Sequence, residues 1–171
     1  MDAPLLDALA SDDVLQVAGL PLHPLIVHAT VVLTPLTVLA LLLGTFWPAA
    51  RRRLGIVTPL AALAVLVLVP VTVAAGLSLA EVIGPVPAVE RHRMLGELLL
   101  PWAIALFVIA AAQWAWYRYG DGRVRRNRPA VARAIVVALA VASVVVGIGT
   151  VVMLVLIGDS GARAVWGGLL G

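Results

Sequence analysis

Residues 134–158 read AIVVALAVASVVVGIGTVVMLVLIG, an apolar stretch bounded by Arg133 and Asp159. None of these 25 residues carries a formal charge. An α-helix rises ~1.5 Å per residue, so about 20 residues cross the ~30 Å hydrocarbon core of a bilayer. The stretch is therefore long enough to span a membrane as one helix.

Three other stretches without a formal charge precede this one. They cover residues 25–46, 54–80 and 98–117, with lengths of 22, 27 and 20 residues. Transmembrane strands would be ~10 residues long with alternating polarity, which none of these stretches shows. The sequence therefore predicts an all-α fold, an integral membrane four-helix bundle.

The overall composition excludes a water-soluble globule. Of the 171 residues, 63% are hydrophobic and 12% are charged, against a usual ~45–50% and ~25%. A soluble domain of this size leaves too much surface exposed to hide that much hydrocarbon. The chain has no cysteine, which excludes disulfides, iron–sulfur ligation and thioether haem attachment within it. The predicted organisation is an extracytoplasmic N-terminal segment (1–22), a four-helix transmembrane domain (23–166) and a C-terminal tail (167–171).

The arginines are distributed unevenly between the predicted loops. Nine of the twelve follow the first and third spans: Arg51, Arg52, Arg53, Arg118, Arg123, Arg125, Arg126, Arg128 and Arg133. The other side holds three Arg and eight of the nine acidic residues. By the positive-inside rule the Arg-rich loops are cytoplasmic and both termini lie outside. The high pI of about 10.6 then reflects topology, and the predicted cytoplasmic anchors are Arg51, Arg52, Arg53, Arg125, Arg126 and Arg128.

Threonines on the first helix share one face. Thr30, Thr34 and Thr37 recur at helical spacing, and the sequence favours packing with hydrogen bonds to the helix's own carbonyls over a conduction path. The two halves of the chain also show a faint symmetry. In each half, a His-bearing segment at the outer face leads into a helix that crosses inward. An Arg-rich loop then connects this helix to one that returns to the outer face.

All three histidines are predicted to lie at the outer face of the membrane. His28 falls just over one turn inside the apolar run, so it needs a partner: a carboxylate, a carbonyl, a metal or a haem. Two interpretations of His28 stay open. It is either an interfacial histidine that is hydrogen-bonded to a neighbouring helix, or a ligand of a metal or haem.

The third helix is predicted to begin near Pro87. Glu90, Arg93 and Glu97 fall on one side of it, at spacings that permit ion pairs, while His92 falls on the opposite side with Gly96. This pattern points His92 inward over a glycine that allows close helix approach, for a structural hydrogen bond or for a functional role.

Two kinds of donor are open to the Asp159 carboxylate, which follows the fourth apolar stretch. Asp159 and Arg163 are four residues apart and form an ion pair if the helix continues. Asp159 could instead accept a proton from His28 or His92.

Two segments resemble the signature of a bacterial four-helix membrane family. They are LPLHPLIVH at residues 20–28 and GDSGARAVW at residues 158–166, and the family is catalogued as domain of unknown function 2231. The likeness runs from Leu20 to Trp166 and implies a protein of the bacterial cytoplasmic (inner) membrane. Some relatives are joined to Rieske or cytochrome modules, and the resemblance therefore implies an association with redox proteins. Asp159 departs from the pattern, since relatives commonly have His there.

The first functional hypothesis is a haem- or metal-binding membrane electron carrier. Its predicted ligands are His28 and His92, with His23 as the second choice, because imidazole suits haem iron, copper and zinc. Haem b or a transition metal is the expected cofactor. One argument opposes this pair, because the predicted depths of His28 and His92 differ by about 13 Å at ~1.5 Å per residue.

Two other function classes stay open. A non-catalytic membrane scaffold would dock a redox protein partner through an outer polar rim of Asp159, Arg163, Glu97 and Arg93. Small-solute transport is less favoured, because four helices without an intramembrane charge or a broken helix pair form a poor path unless the protein forms a homo-oligomer. We expect no nucleic-acid binding and no enzymatic turnover by this chain alone.

Overall fold

The computed structural model describes residues 16–17, 20–84 and 86–167. Most of the predicted N-terminal segment and of the C-terminal tail lies outside these residues. The elements in chain order are β1 (Gln16–Val17), β2 (Leu20–Pro21), α1 (Leu22–Phe46), α2 (Pro48–Leu54), α3 (Val57–Ile83), α4 (Pro87–Glu97), α5 (Leu99–Ala115), a π-helical segment (Trp116–Gly120), α6 (Asp121–Asn127) and α7 (Pro129–Trp166). The strands β1 and β2 pair antiparallel, with Gln16 opposite Pro21 and Val17 opposite Leu20.

The described residues contain four helical stretches that are long and apolar enough to cross a membrane. They are Leu22–Phe46, Val57–Ile83, Pro87–Asn127 and Pro129–Trp166. Each includes one of the uncharged stretches found in the sequence or nearly all of it. The prediction of an all-α membrane bundle of four helices is confirmed.

Prolines mark several helix boundaries. Pro48 and Pro87 lie in the first turns of α2 and α4, where the missing N–H costs nothing. Pro101 cannot donate to the carbonyl of Glu97, and α4 gives way to α5 beside it, at Leu98. The third helical stretch thus begins at Pro87, as the sequence predicted, although its uncharged part begins only at Leu98.

The chain divides into two compact units. The histidine unit takes its described residues from Met1–Val32, Val67–Leu100 and Val152–Gly171, and it contains all three histidines. The arginine unit comprises Leu33–Leu66 and Pro101–Val151.

The core of the arginine unit mixes small, aliphatic and hydroxyl side chains. Leu41, Val65 and Leu106 are fully buried. Thr37 donates its hydroxyl to the Leu33 carbonyl oxygen at 2.8 Å, whereas the buried Thr34 hydroxyl has no hydrogen-bond partner among the described residues. Apolar packing and bonds to the helix's own carbonyls therefore account for most of the threonine face, as the sequence indicated.

Within the arginine unit, the exposed side of α7 is aliphatic. Val137, Val141, Val145 and Ile148 recur every three or four residues and are each more than half exposed. Such a face would aggregate in water, but lipid tails are as apolar as the side chains themselves. The exposed surface of this helix is therefore suited to a bilayer.

Candidate functional site

His23 lies in the first turn of α1 and packs against α3. Its Nδ1–H donates to the carbonyl oxygen of Thr72 at 2.9 Å. A carbonyl oxygen can only accept, so this contact places the ring proton on Nδ1 and leaves the Nε2 lone pair free. The ring rests on Gly76, where a Cβ atom would lie 2.9 Å from two ring atoms. Glycine at this position therefore provides the space that the imidazole occupies.

His92 lies on α4 and packs in the same manner against α7. Its Nδ1 is 3.1 Å from the carbonyl oxygen of Ile157 and 3.0 Å from Ser160 Oγ. Ser160 itself donates to the Ile157 carbonyl at 2.8 Å, so its oxygen is free to accept from His92. Nδ1 is again the protonated nitrogen and Nε2 carries the lone pair. A Cβ at Gly161 would lie 3.1 Å from the ring.

The two histidines occupy equivalent positions. Each donates to a carbonyl four residues before the glycine that its ring touches, Thr72 before Gly76 and Ile157 before Gly161. The rings of His23 and His92 are close, with centroids 6.1 Å apart and planes at 84°. The histidine unit thus holds a pair of imidazoles, each oriented by a backbone carbonyl of another helix.

His28 is placed differently from the other two. It is exposed, and its Nδ1–H donates to the Pro24 carbonyl of its own helix at 2.6 Å. The sequence ranked His28 and His92 as the first pair and His23 second, whereas the structure brings His23 and not His28 into ring contact with His92. Of the partners that the sequence allowed for His28, the structure supplies a carbonyl, and this carbonyl lies one turn earlier on α1.

A glycine does lie behind His92, but it is not the one expected. The sequence pointed to Gly96, on the same helix. A Cβ at Gly96 would meet only Val73, at an ordinary 3.9 Å. The close approach occurs at Gly161 on α7 instead.

A cavity of about 520 Å³ adjoins the imidazole pair. All three histidines line it, together with many apolar side chains, and among its described lining residues Arg93 alone carries a formal charge. Its volume falls within the roughly 300–1,000 Å³ of ligand pockets. The combination of an apolar wall and a few placed nitrogen atoms is typical of a site that holds a molecule of moderate size.

The donor set limits which metal centres would fit. Within the described ranges no group of three or more His, Cys, Asp or Glu side chains is placed to hold a metal ion. Zinc sites usually take three or four protein ligands, which this arrangement does not supply. Two imidazoles suit a centre that brings its other ligands with it, such as haem iron, or a two-coordinate ion.

The predicted polar rim consists of exposed ion pairs. Arg93 lies 3.0 Å from Glu90 and 3.9 Å from Glu97, and Arg163 lies 2.9 Å from Asp159. The helix α7 continues through these last residues, so the ion pair expected from their spacing forms. Asp159 bonds to Arg163, while His28 and His92 donate to other oxygens. Water and salt screen exposed pairs of this kind, so they add little to the stability of the fold.

Several site residues carried no clear signal in the sequence. The carbonyls of Thr72 and Ile157 are backbone groups, which any residue type could supply. Gly76 lies within the uncharged stretch 54–80, where nothing in the sequence marks it as a ring contact. Ser160 and Gly161 lie inside the segment that carried the family resemblance.

A family model described as Predicted membrane protein (DUF2231) matches residues 19–171. No curated protein and no solved structure matches the chain. The match includes all three histidines, both glycines beneath their rings and the four long apolar helical stretches. The chain therefore belongs to the family described as Predicted membrane protein (DUF2231).

Proposed function

We propose that this chain is a multi-pass protein of the bacterial cytoplasmic membrane that holds one haem, or one transition-metal ion, between His23 and His92 for electron transfer. The observation that carries the proposal is the matched orientation of the two imidazoles. Each donates Nδ1–H to a carbonyl and keeps its Nε2 lone pair. Metal-bound histidines are commonly oriented by this same hydrogen bond, which also raises their basicity as ligands.

The separation of the two rings leaves room for a shared centre, toward which the Nε2 of each ring would turn. A metal–nitrogen bond of ~2.0 Å on each side places the centroids of two facing imidazoles roughly 6 Å apart. The observed centroid distance is 6.1 Å. Haem is the favoured form, because its porphyrin would supply four of the iron ligands and His23 and His92 would supply the other two.

The other residues of the cavity would set the environment of the bound group. Its apolar wall would exclude water and lower the local dielectric constant, which tunes a redox potential. Arg93 is the charged residue of the described lining, so it would be the cation available to an acidic substituent of the bound group. Glu90 and Glu97 already contact its side chain. The exposed rim of Glu90, Arg93, Glu97, Asp159 and Arg163 would meet the redox partner.

Cofactor content measured on variants tests this proposal. Wild-type protein purified after haem-replete expression should show a Soret band, with about one haem per chain. His23→Ala and His92→Ala should each lose most of that absorbance, while His28→Ala, at the cavity but outside the ring pair, should keep it. Helical circular dichroism of each variant checks folding.

Metal analysis of the same samples separates the two forms of the proposal. A transition metal without a Soret band, lost in His23→Ala and His92→Ala, would favour a bare ion over haem. Wild-type protein with neither haem nor bound metal would rule out the proposal.

A further inference from the structure

A second cavity, of about 320 Å³, lies in the arginine unit and is lined by cations. Arg51, Arg52 and Arg118 contribute to its wall, with Trp114 and Tyr117 beside them. Acidic side chains are absent from its described lining. The cavity is independent of the histidine pair and of the function proposed for it.

Arg51 is held rigidly at this cavity. Its Nε donates to the Gly44 carbonyl oxygen at 2.6 Å and its Nη2 to the Thr45 carbonyl oxygen at 2.7 Å. Its guanidinium carbon lies 3.5 Å from the ring centre of Tyr117. These contacts fix the side chain, and they leave its charge uncompensated because carbonyls and a ring carry no net charge. The cation is thus oriented in advance, which lowers the entropic cost of binding an anion.

The cavity arginines have no carboxylate partner among the described side chains. Among the described side chains, Arg93, Arg125 and Arg163 each form an ion pair with an acid of the same helical stretch. Arg51, Arg52 and Arg118 form none within that part of the chain. Asp121, the acid nearest to Arg118 in sequence, bonds to Arg125 instead. The guanidinium of Arg118 lies 5.1 Å from the ring centre of Tyr119. The cavity wall therefore includes three arginines that no described carboxylate neutralises.

We propose that this cavity binds a phosphate group, carried by an anionic phospholipid headgroup or free in solution. Guanidinium groups present several N–H donors in a plane, which match the oxygen atoms of phosphate. The neighbouring Trp114 and Tyr117 rings are amphipathic and suit the boundary between acyl chains and headgroups. Clusters of basic residues at the ends of membrane helices recognise anionic lipids in this way.

Lipid binding to the full-length protein in detergent tests the proposal. The double variant Arg52→Gln/Arg118→Gln changes two arginines of the cavity wall and leaves Arg51 on α2. Arg51 there keeps its bonds to the carbonyls at the end of α1. The matched control, Arg123→Gln/Arg126→Gln, removes two exposed charges that lie outside the cavity lining. Native mass spectrometry with phosphatidylglycerol, phosphatidylcholine or inorganic phosphate gives the affinities.

Wild-type protein should bind phosphatidylglycerol in preference to phosphatidylcholine. The cavity variant should lose about tenfold or more in that affinity, and the control less than about twofold. Saturable binding of inorganic phosphate that displaces phosphatidylglycerol would assign the site to phosphate from either source. Equal affinity for the two lipids, or equal losses in both double variants, would overturn the proposal.

Discussion

At the scale of single residues, the acceptor atoms decide the character of the candidate site. His23 and His92 donate to carbonyls of helices other than their own, and His28 donates within its own helix. The sequence identified all three histidines as candidate ligands, yet it placed His28 and His92 ahead of His23. The depth of His28 in an apolar run was the reason to expect a partner for it. Depth shows that a buried polar group needs a partner. It cannot show which backbone oxygen supplies that partner.

Replacement of Gly76 by alanine should disturb the His23 imidazole. The added Cβ would lie 2.9 Å from Cε1 and Nδ1 of the ring, so the ring must move away from the Thr72 carbonyl. We expect Gly76→Ala to be about 1–3 kcal/mol less stable than the matched variant Gly158→Ala, where a Cβ has open space. Thermal unfolding in detergent, followed by circular dichroism, measures the difference. Equal stability of the two variants would show that His23 does not need this space.

At the scale of helices, uncharged length and proline position predicted most of the architecture. All four apolar stretches are helical over most of their length, and the third helical stretch begins at Pro87 as expected. Charge marks the end of an apolar stretch, but it does not end a helix. The helix α7 runs from Pro129 to Trp166 and includes Arg133, Asp159 and Arg163. Charged residues at the two ends of a long helix remain solvated, so helix boundaries could not be taken from charge alone.

Within the arginine unit, α5 and α7 meet at a tryptophan packed over a glycine. A Cβ at Gly149 would overlap the Trp102 indole at Cζ3, and an adjustment of a few tenths of an ångström could not relieve that overlap. We expect Gly149→Ala to lower the free energy of unfolding by about 1–3 kcal/mol, with partial recovery in Gly149→Ala/Trp102→Leu. Unfolding of both variants in detergent, beside Gly122→Ala as a control in open space, measures the effect. If Gly149→Ala and Gly122→Ala have the same free energy of unfolding, then Trp102 does not pack closely over Gly149.

At the scale of the whole molecule, the burial pattern repeats along the chain. His23 and His92 are 69 residues apart, and the same offset relates the buried Thr30, Thr34, Thr37, Leu41 and Gly44 to the buried Leu99, Ala103, Leu106, Ala110 and Gln113. An offset of 85 residues relates Gly76 to Gly161, and also Thr58, Ala62, Val65 and Ala75 to Ser143, Gly147, Thr150 and Ser160. Residue types differ at most of these positions, which explains why the sequence symmetry was faint. The spacing of buried positions and ring contacts thus recurs in the two halves, while residue identity does not.

The proposed topology predicts that Glu90 and Arg123 are accessible from opposite sides of the membrane. Because the chain has no cysteine, single substitutions are specific labelling sites. Glu90→Cys should react with a membrane-impermeant maleimide in intact cells, while Arg123→Cys should react only after the cytoplasmic membrane is opened. The reverse pattern would invert the orientation, and labelling of both from outside would contradict the four-span arrangement.

The most direct measurement of the shared centre is electron paramagnetic resonance of the oxidised, haem-loaded protein. Ligation by both His23 and His92 predicts a six-coordinate, low-spin ferric signal in the wild type and in His28→Ala. Loss of one axial ligand in His92→Ala should convert the remaining haem to a high-spin signal. A wild-type spectrum that is already high-spin, or that does not change in His92→Ala, would contradict ligation by this pair of imidazoles.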